Sequence, residues 1–250
     1  MHTFITRFKK DIACEFLPPS RKSKFHRVII FCSGTPGVPY KKDVMEFFSK
    51  KGYWVFNPRY RGTWESGGRF LKDSPEKDIR DVISSLPKGF KDIWSDKRFS
   101  VKVDQLFIIG TSFGGPAAIL LTGHLQVTKS IAIAPVVDWQ SPDMLRTDAR
   151  EHRFTREAFG EVYRFSDRDW QKLSKGNFYN PVAETYRING SKLLIIHAKD
   201  DDIVAFHPVE KFAKKSGAEL IKLKTGGHLS STLLMQERFY KKFEQFIKNT

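Results

Sequence analysis

Ser112 stands in "IIGTSFGG" (108–115), between Gly110 and Gly114, where a short apolar run gives way to a helical pattern. A serine at such a turn is held in a strained backbone conformation with its Oγ projecting above a sheet. The flanking glycines remove the Cβ atoms that would clash as strand and helix close together. The helix that starts there aims backbone N–H groups at the same spot, which suits a developing oxyanion. A bare G-x-S-x-G can also be a structural turn; the strand-to-helix context favours a nucleophile. A serine hydroxyl attacks a carbonyl at neutral pH with the help of a histidine base, and the base needs an acid to fix its tautomer and balance its charge. His2 and His26 lie among basic residues near the N-terminus, His124 at the far end of the helix bearing Ser112, and His152 in a charged segment. His197 falls within an apolar strand pattern, where a packed or hydrogen-bonded role fits, and His207 precedes Pro208 at a helix start. His228, in "KTGGHLSS", stands in a glycine-containing loop between the last strand and the last helix, from which it can swing over a sheet. For the acid, "KDDDIV" (199–204) offers Asp200, Asp201 and Asp202 directly after the apolar run 193–196, and Asp138 follows another strand end near the same edge.

The elements that must position these residues alternate. "RVIIFCSG", "QLFIIG", "SIAIAP" and "KLLIIHA" are short, nearly continuous apolar runs ending in small or turn residues, the pattern of parallel strands buried on both faces. "YWVFNP" and "AELIKLK" add further strands. Between them, "YKKDVMEFFSKKG" puts Val44, Phe47 and Phe48 on one helical face and stops at Gly52. "SPEKDIRDVISSL" begins with a capping Ser74 and Pro75 and spaces Ile79, Val82, Ile83 and Leu86 helically. "SFGGPAAILLTG" and "HPVEKFAKKSG" are shorter helices, and "STLLMQERFYKKFEQFIK" reads as one long amphipathic C-terminal helix. The class is α/β with right-handed crossovers. Residues 138–186 exceed what a simple crossover needs and carry short amphipathic pieces rich in aromatics, the form of a lid or of surface decoration.

At 250 residues with 40% hydrophobic side chains, one domain spanning 1–250 is expected. Neither an apolar run long enough to span a membrane nor a signal-peptide pattern is found, so a soluble, cytoplasmic protein is expected. Cys14 and Cys32 each sit in a strand-like apolar stretch, as buried free thiols do. The net charge of +15 raises nucleic-acid binding as a function, but the basic residues are scattered among acids without an RNA-binding or zinc signature, and a solvated basic surface accounts for them.

The motifs together resemble the α/β-hydrolase superfamily over nearly the whole chain, in the order nucleophile, acid, histidine. "SGTPG" (33–37), "NPRYRGTWESGG" (57–68), "GTSFGG", "NPV", "HAKDDDIV" and "GGH" look most like the catalytic domains of prolyl-oligopeptidase-like and acylaminoacyl-peptidase-like enzymes and related small esterases. The resemblance implies a mostly parallel central sheet flanked by helices, with 138–186 as a lid or cap and no propeller among these residues. It implies that Ser112 is the nucleophile, His228 the base, and the backbone N–H groups of Phe113 and Thr35 the oxyanion hole. The family loop commonly reads His-Gly-Gly-Pro-Gly where this chain has Ser33-Gly34-Thr35-Pro36-Gly37, a change that leaves the backbone donors in being. In the family a Gly ends the strand, the acid follows three positions later and a Val three after that. Here those places hold Ala198, Asp201 and Val204, so the acid is Asp201. Ile203 and Val204 would lead the chain back to the core and pull Asp201 with them, leaving Asp200 and Asp202 to solvent.

The implied activity is cleavage of carboxylic esters through an acyl-enzyme, with no cofactor or metal and with small esters or peptides as substrates. A peptidase of the acylaminoacyl-peptidase or prolyl-oligopeptidase type is the alternative, and a non-catalytic binding protein on the same fold a third reading. The "RYRG" segment (59–62) is expected to structure the loop beside the site, and Trp64, Tyr40, Phe113 and Trp139 are candidate pocket walls.

Overall fold

The computed structural model describes residues 3–21, 23–143 and 148–248; His2 lies outside them. The chain opens with a hairpin of β1 (Phe4–Phe8) and β2 (Ile12–Leu17), followed by β3 (Arg27–Cys32), α1 (Lys42–Lys50), β4 (Tyr53–Pro58) and α2 (Glu76–Ser85). A small two-stranded excursion, β5 (Phe90–Lys91) and β6 (Arg98–Phe99), precedes β7 (Gln105–Thr111), α3 (Gly115–Leu120) and β8 (Lys129–Ile133). The expected insertion carries α4 (Asp148–Phe159) and α5 (Asp167–Trp170) among short 3-10 turns. The chain closes with β9 (Leu193–Ala198), α6 (Phe206–Ser216), β10 (Glu219–Leu223) and α7 (Glu237–Lys248).

The eight main strands order as β1-β2-β4-β3-β7-β8-β9-β10. From β4 to β10 neighbours run parallel, as the continuous apolar runs predict, whereas β1–β2 and β2–β4 are antiparallel. Period-2 alternation divides the core between the two faces. In β3, Val28, Ile30 and Cys32 pack with Ile79, Val82 and Ala117 from α2 and α3. On the other face Ile29 and Phe31 pack with Val44 and Phe48 of α1 and Phe243 of α7. Both cysteines are buried free thiols, as expected.

The structure differs from the sequence reading in several places. The N-terminal hairpin extends the sheet; of it, the residues alone mark only the strand-like stretch around Cys14. The C-terminal helix is interrupted: Ser231–Met235 forms a 3-10 turn, and Gln236 is extended before α7 begins. The break lets Leu233 and Leu234 enter the core independently of the Phe239, Phe243, Phe246 and Ile247 stripe of α7. Ser74 does not cap α2 with its side chain; its hydroxyl donates to the Glu76 carboxylate, and Pro75 takes the cap position. In α1, Met45 is buried beside Val44 and Phe48, while Phe47 is only partly covered.

The turn from β7 into α3 is where the fold is tightest. Ser112 has φ +51°, the left-handed region that non-glycine residues rarely adopt. A Cβ on Gly110 would lie 2.2 Å from the Gly114 carbonyl oxygen, and one on Gly114 would lie 2.1 Å from the Cys32 carbonyl oxygen, so the turn seats directly on the end of β3. Gly114→Ala therefore forces backbone apart. It should destabilise by about 3 kcal/mol or more, a fall in Tm of about 6–12 °C for a domain of this size. Gly217→Ala is the control: φ is +73° but nothing lies within 4 Å of the added Cβ, so only the backbone cost of about 1–2 kcal/mol applies. Thermal unfolding of the two variants checks the ranking.

Candidate active site

Strand order reverses at β3, which has β4 on one side and β7 on the other. In open parallel sheets, ligands bind outside the carboxyl ends of the strands at such a switch point. Cys32 pairs with Gly110, so the loop leaving β3 runs beside the turn holding Ser112. A Cβ on Gly34 would lie 3.3 Å from the Ser112 Cβ. Thr35 and Phe113 thus flank the serine, and neither backbone N–H has an acceptor among the described residues. For Phe113 this follows from its place in the first turn of a helix, whose N–H groups have no intrahelical partner.

Five hydrogen bonds hold the two loops. Tyr163 accepts a hydrogen bond from the Gly37 N–H at 3.0 Å and donates to the Gly37 carbonyl at 3.2 Å. Trp64 Nε1 donates to the same carbonyl at 3.1 Å. Behind the turn, the Tyr179 hydroxyl donates to the Phe113 carbonyl at 2.8 Å and accepts from the Ala117 N–H at 3.2 Å. Tyr163 and Tyr179 went unread in the sequence; a tyrosine among many aromatics in a long insertion carries no signal of what its hydroxyl meets.

A second pair of loops brings the acid and the histidine together. Ala198 pairs with Leu223, and the Lys199 N–H donates to the Leu223 carbonyl at 2.9 Å, so the segments after β9 and β10 leave side by side. His228 Nδ1 lies 2.9 Å from Asp201 Oδ2 and 3.1 Å from Oδ1. Oδ1 also accepts the N–H groups of Ile203 and Val204, each at 2.9 Å. Oδ2 lies 3.1 Å from Nε2 of His197, a second imidazole on the same carboxylate. Burial of Asp201 alone would raise its pKa. The hydrogen bonds from His197, His228 and the Val204 and Ile203 N–H groups outweigh it and hold the carboxyl well below the usual range, so it is ionised.

Asp202 is exposed, as expected. Asp200 is exposed too, yet its carboxylate accepts the N–H groups of Gly226 at 3.2 Å and Gly227 at 2.9 Å, clasping the loop that carries His228. Asp138 Oδ1 accepts from the Gln140 N–H and Asn180 Nδ2 and meets no histidine among the described residues. The other described histidines are elsewhere: His26 against the Lys102 carbonyl, His152 beside Asp167, His124 accepting from the Gln126 N–H, and His207 exposed.

Ser112, His228, Thr35 and Phe113 line one cavity of about 330 Å³. Its walls are mainly apolar and include Val136, Val137, Trp139, Trp170, Leu173 and Val204, with Asp138, Asp143 and Glu151 also lining it. Ser112 Oγ and His228 share it without a direct hydrogen bond among the described residues, an arrangement common before substrate tightens a site. Of the four candidate wall aromatics, Phe113 and Trp139 line the cavity. Tyr40 is exposed instead, and Trp64 supports the Gly37 loop from behind. The "RYRG" segment is held by ion pairs: Arg59 with Glu15 and Glu65, and Arg61 with Asp11, Asp78 and Asp81. No group of side chains among the described residues could hold a metal ion.

Among solved structures, an esterase of Pyrococcus furiosus is similar over 99% of this chain and 89% of its own, with a TM-score of 0.67 at 18% identity. An acylaminoacyl peptidase of Pyrococcus horikoshii gives 0.65 at 19% identity, over 99% of this chain and 41% of that one. Dipeptidyl peptidase 4 of Porphyromonas gingivalis gives 0.62 at 18% identity, over 100% of this chain and 35% of that one. At such identities the likeness is one of fold, here the α/β-hydrolase fold. No curated protein sequence matches the chain. The sequence pattern of the prolyl oligopeptidase family, however, matches residues 40–250, and on that match the chain belongs to this family of serine hydrolases.

Proposed function

We propose that the protein cleaves carboxylic esters by nucleophilic catalysis. The observation that carries the reading is the single apolar cavity shared by Ser112, His228 and two unclaimed backbone N–H groups. Ser112 Oγ attacks the ester carbonyl carbon while His228 Nε2 takes its proton. The oxyanion forms against the N–H groups of Phe113 and Thr35, and collapse expels the alcohol with the proton returned by His228. Water, deprotonated by the same ring, then releases the acid from Ser112. Asp201 holds the Nδ1–H of His228, fixing the tautomer that leaves Nε2 free to act. The 138–186 insertion acts as a cap, contributing Trp139, Trp170 and Leu173 to the wall that receives the acyl group.

Esters come first because the walls offer aliphatic and aromatic contact and little to pair with a peptide backbone. A peptidase is the second reading, favoured by the carboxylates Asp138, Asp143 and Glu151, which suit a substrate bearing a free amino group. Comparing p-nitrophenyl butyrate with aminoacyl and acylaminoacyl coumarin amides separates them. The ester should have the higher kcat/KM; the opposite order makes the protein a peptidase.

Ser112→Ala should abolish labelling by a fluorophosphonate probe and lower kcat by about a millionfold. A folded wild-type protein that stays unlabelled would sink the hydrolase mechanism. The three neighbouring aspartates should separate cleanly on the same ester. Asp201→Asn should lower kcat about 10⁴-fold, and Asp202→Asn should leave it within about twofold. Asp200→Asn, which weakens two exposed hydrogen bonds to the histidine loop, should cost about 3–10-fold. A near-wild-type Asp201→Asn enzyme would exclude Asp201 as the acid.

A further inference from the structure

We propose that His197 is a positioning residue for the reaction: its Nε2–H holds the Asp201 carboxylate in the orientation that His228 uses. The inference rests on the triad reading above and adds a residue to it.

His197 is the penultimate residue of β9 and is fully buried. Its Nε2 lies 2.9 Å from the Val204 carbonyl oxygen and 3.1 Å from Asp201 Oδ2. Both of those atoms only accept, so these partners assign the ring proton to Nε2. The other nitrogen, Nδ1, is buried with no partner among the described residues, and the ring packs edge-on against Phe206 at 5.8 Å. A buried nitrogen without a partner costs stability, and an apolar side chain could fill the same space without that cost. What the imidazole supplies at this place, and an apolar residue cannot, is the N–H aimed at the acid.

The geometry explains why the acid needs it. Oδ1 is tied to two rigid backbone N–H groups, whereas Oδ2 is shared by His228 and His197. His228 sits on a loop and exchanges protons during turnover, so its hydrogen bond is the one that changes. His197 sits on a central-sheet strand and does not move with it. Lys199, Asp143 and His207 line a cleft on another side of Asp201, and Asp200 and Asp202 flank it in the chain. Among the described residues, only the two imidazoles are side chains within hydrogen-bond reach of its carboxylate.

The test compares His197→Asn with His197→Gln. The Gln amide can reach the Nε2 place and the Asn amide cannot. On the nitrophenyl ester, His197→Asn should lower kcat about tenfold with KM unchanged, and His197→Gln should recover most of the loss. Withdrawing a donor leaves the carboxylate a stronger partner for the charged form of His228. The acid limb of kcat/KM should therefore move to higher pH in the Asn variant, by about half a unit. Melting curves check folding, and His197→Phe, which keeps the ring packing, replaces the Asn variant if that one does not fold. Wild-type kcat and an unmoved acid limb in the variant lacking the donor would overturn the proposal. So would equal losses in both variants with the limb unmoved, which would make His197 a packing residue. Neither result touches the triad reading, which instead falls if wild-type protein resists the fluorophosphonate probe.

Discussion

Backbone pairing between parallel strands is the constraint from which the site follows. Each strand is hydrogen-bonded to its neighbours in a fixed register, so the loops at the carboxyl ends emerge at set offsets from one another. Pairing of Cys32 with Gly110 puts the Thr35 loop beside Ser112, and pairing of Ala198 with Leu223 puts Asp201 beside His228. A slip of one residue in β3 would exchange the side chains of its two faces, which pack against different helices, so close packing of both layers protects the register and, through it, the site. The elbow adds a second restraint, because Gly114 rests on the Cys32 carbonyl with no room for a Cβ.

Two local costs are carried at this edge of the sheet. Ser112 is held at φ +51°, and strain of this kind persists only where the surroundings over-determine the backbone. Here the Tyr179 hydroxyl grips the helical turn that follows Ser112, at Phe113 and Ala117. The other cost is a carboxylate taken out of water. A buried charge is tolerated when hydrogen bonds replace its hydration, and Asp201 receives them from two main-chain N–H groups and two imidazoles. The acid is thus rigid on one oxygen and shared on the other.

Residues 138–186 are joined to the rest of the protein over much of their described length. Arg164 exchanges backbone hydrogen bonds with the 62–70 segment, Lys172 Nζ donates to the carbonyls of Leu71 and Lys72, and Asp169 pairs with Arg69. Tyr163 reaches the Gly37 loop. The same stretch therefore walls the cavity and braces the loop carrying the Thr35 N–H, which couples the shape of the pocket to the donors beside the serine.

Much of this was legible in the residues. Continuous apolar runs marked the buried parallel strands, Gly-x-Ser-x-Gly at a strand end marked the elbow, and a lone histidine in a glycine loop marked the neighbour of the acid. Of the hairpin Phe4–Leu17 only the strand-like stretch around Cys14 was legible, because Thr6 and Arg7 interrupt the apolar run of β1, and the C-terminal helix was over-extended because amphipathic spacing continues through the break at Gln236. Local pattern gave His197 as a packed or hydrogen-bonded strand histidine but not its partner, although a polar residue in a fully buried strand must find one and Asp201 lies four positions on. Periodicity and motif depend on neighbours in the chain, so by itself the sequence determined the α/β class, the strand ends and the candidate nucleophile and base. The family resemblance singled out Asp201, but its contact with His228, what clasps the histidine loop and which tyrosines brace the turn at Ser112 depend on residues tens of positions apart. Only the sheet register and the close packing of the tertiary structure decide those.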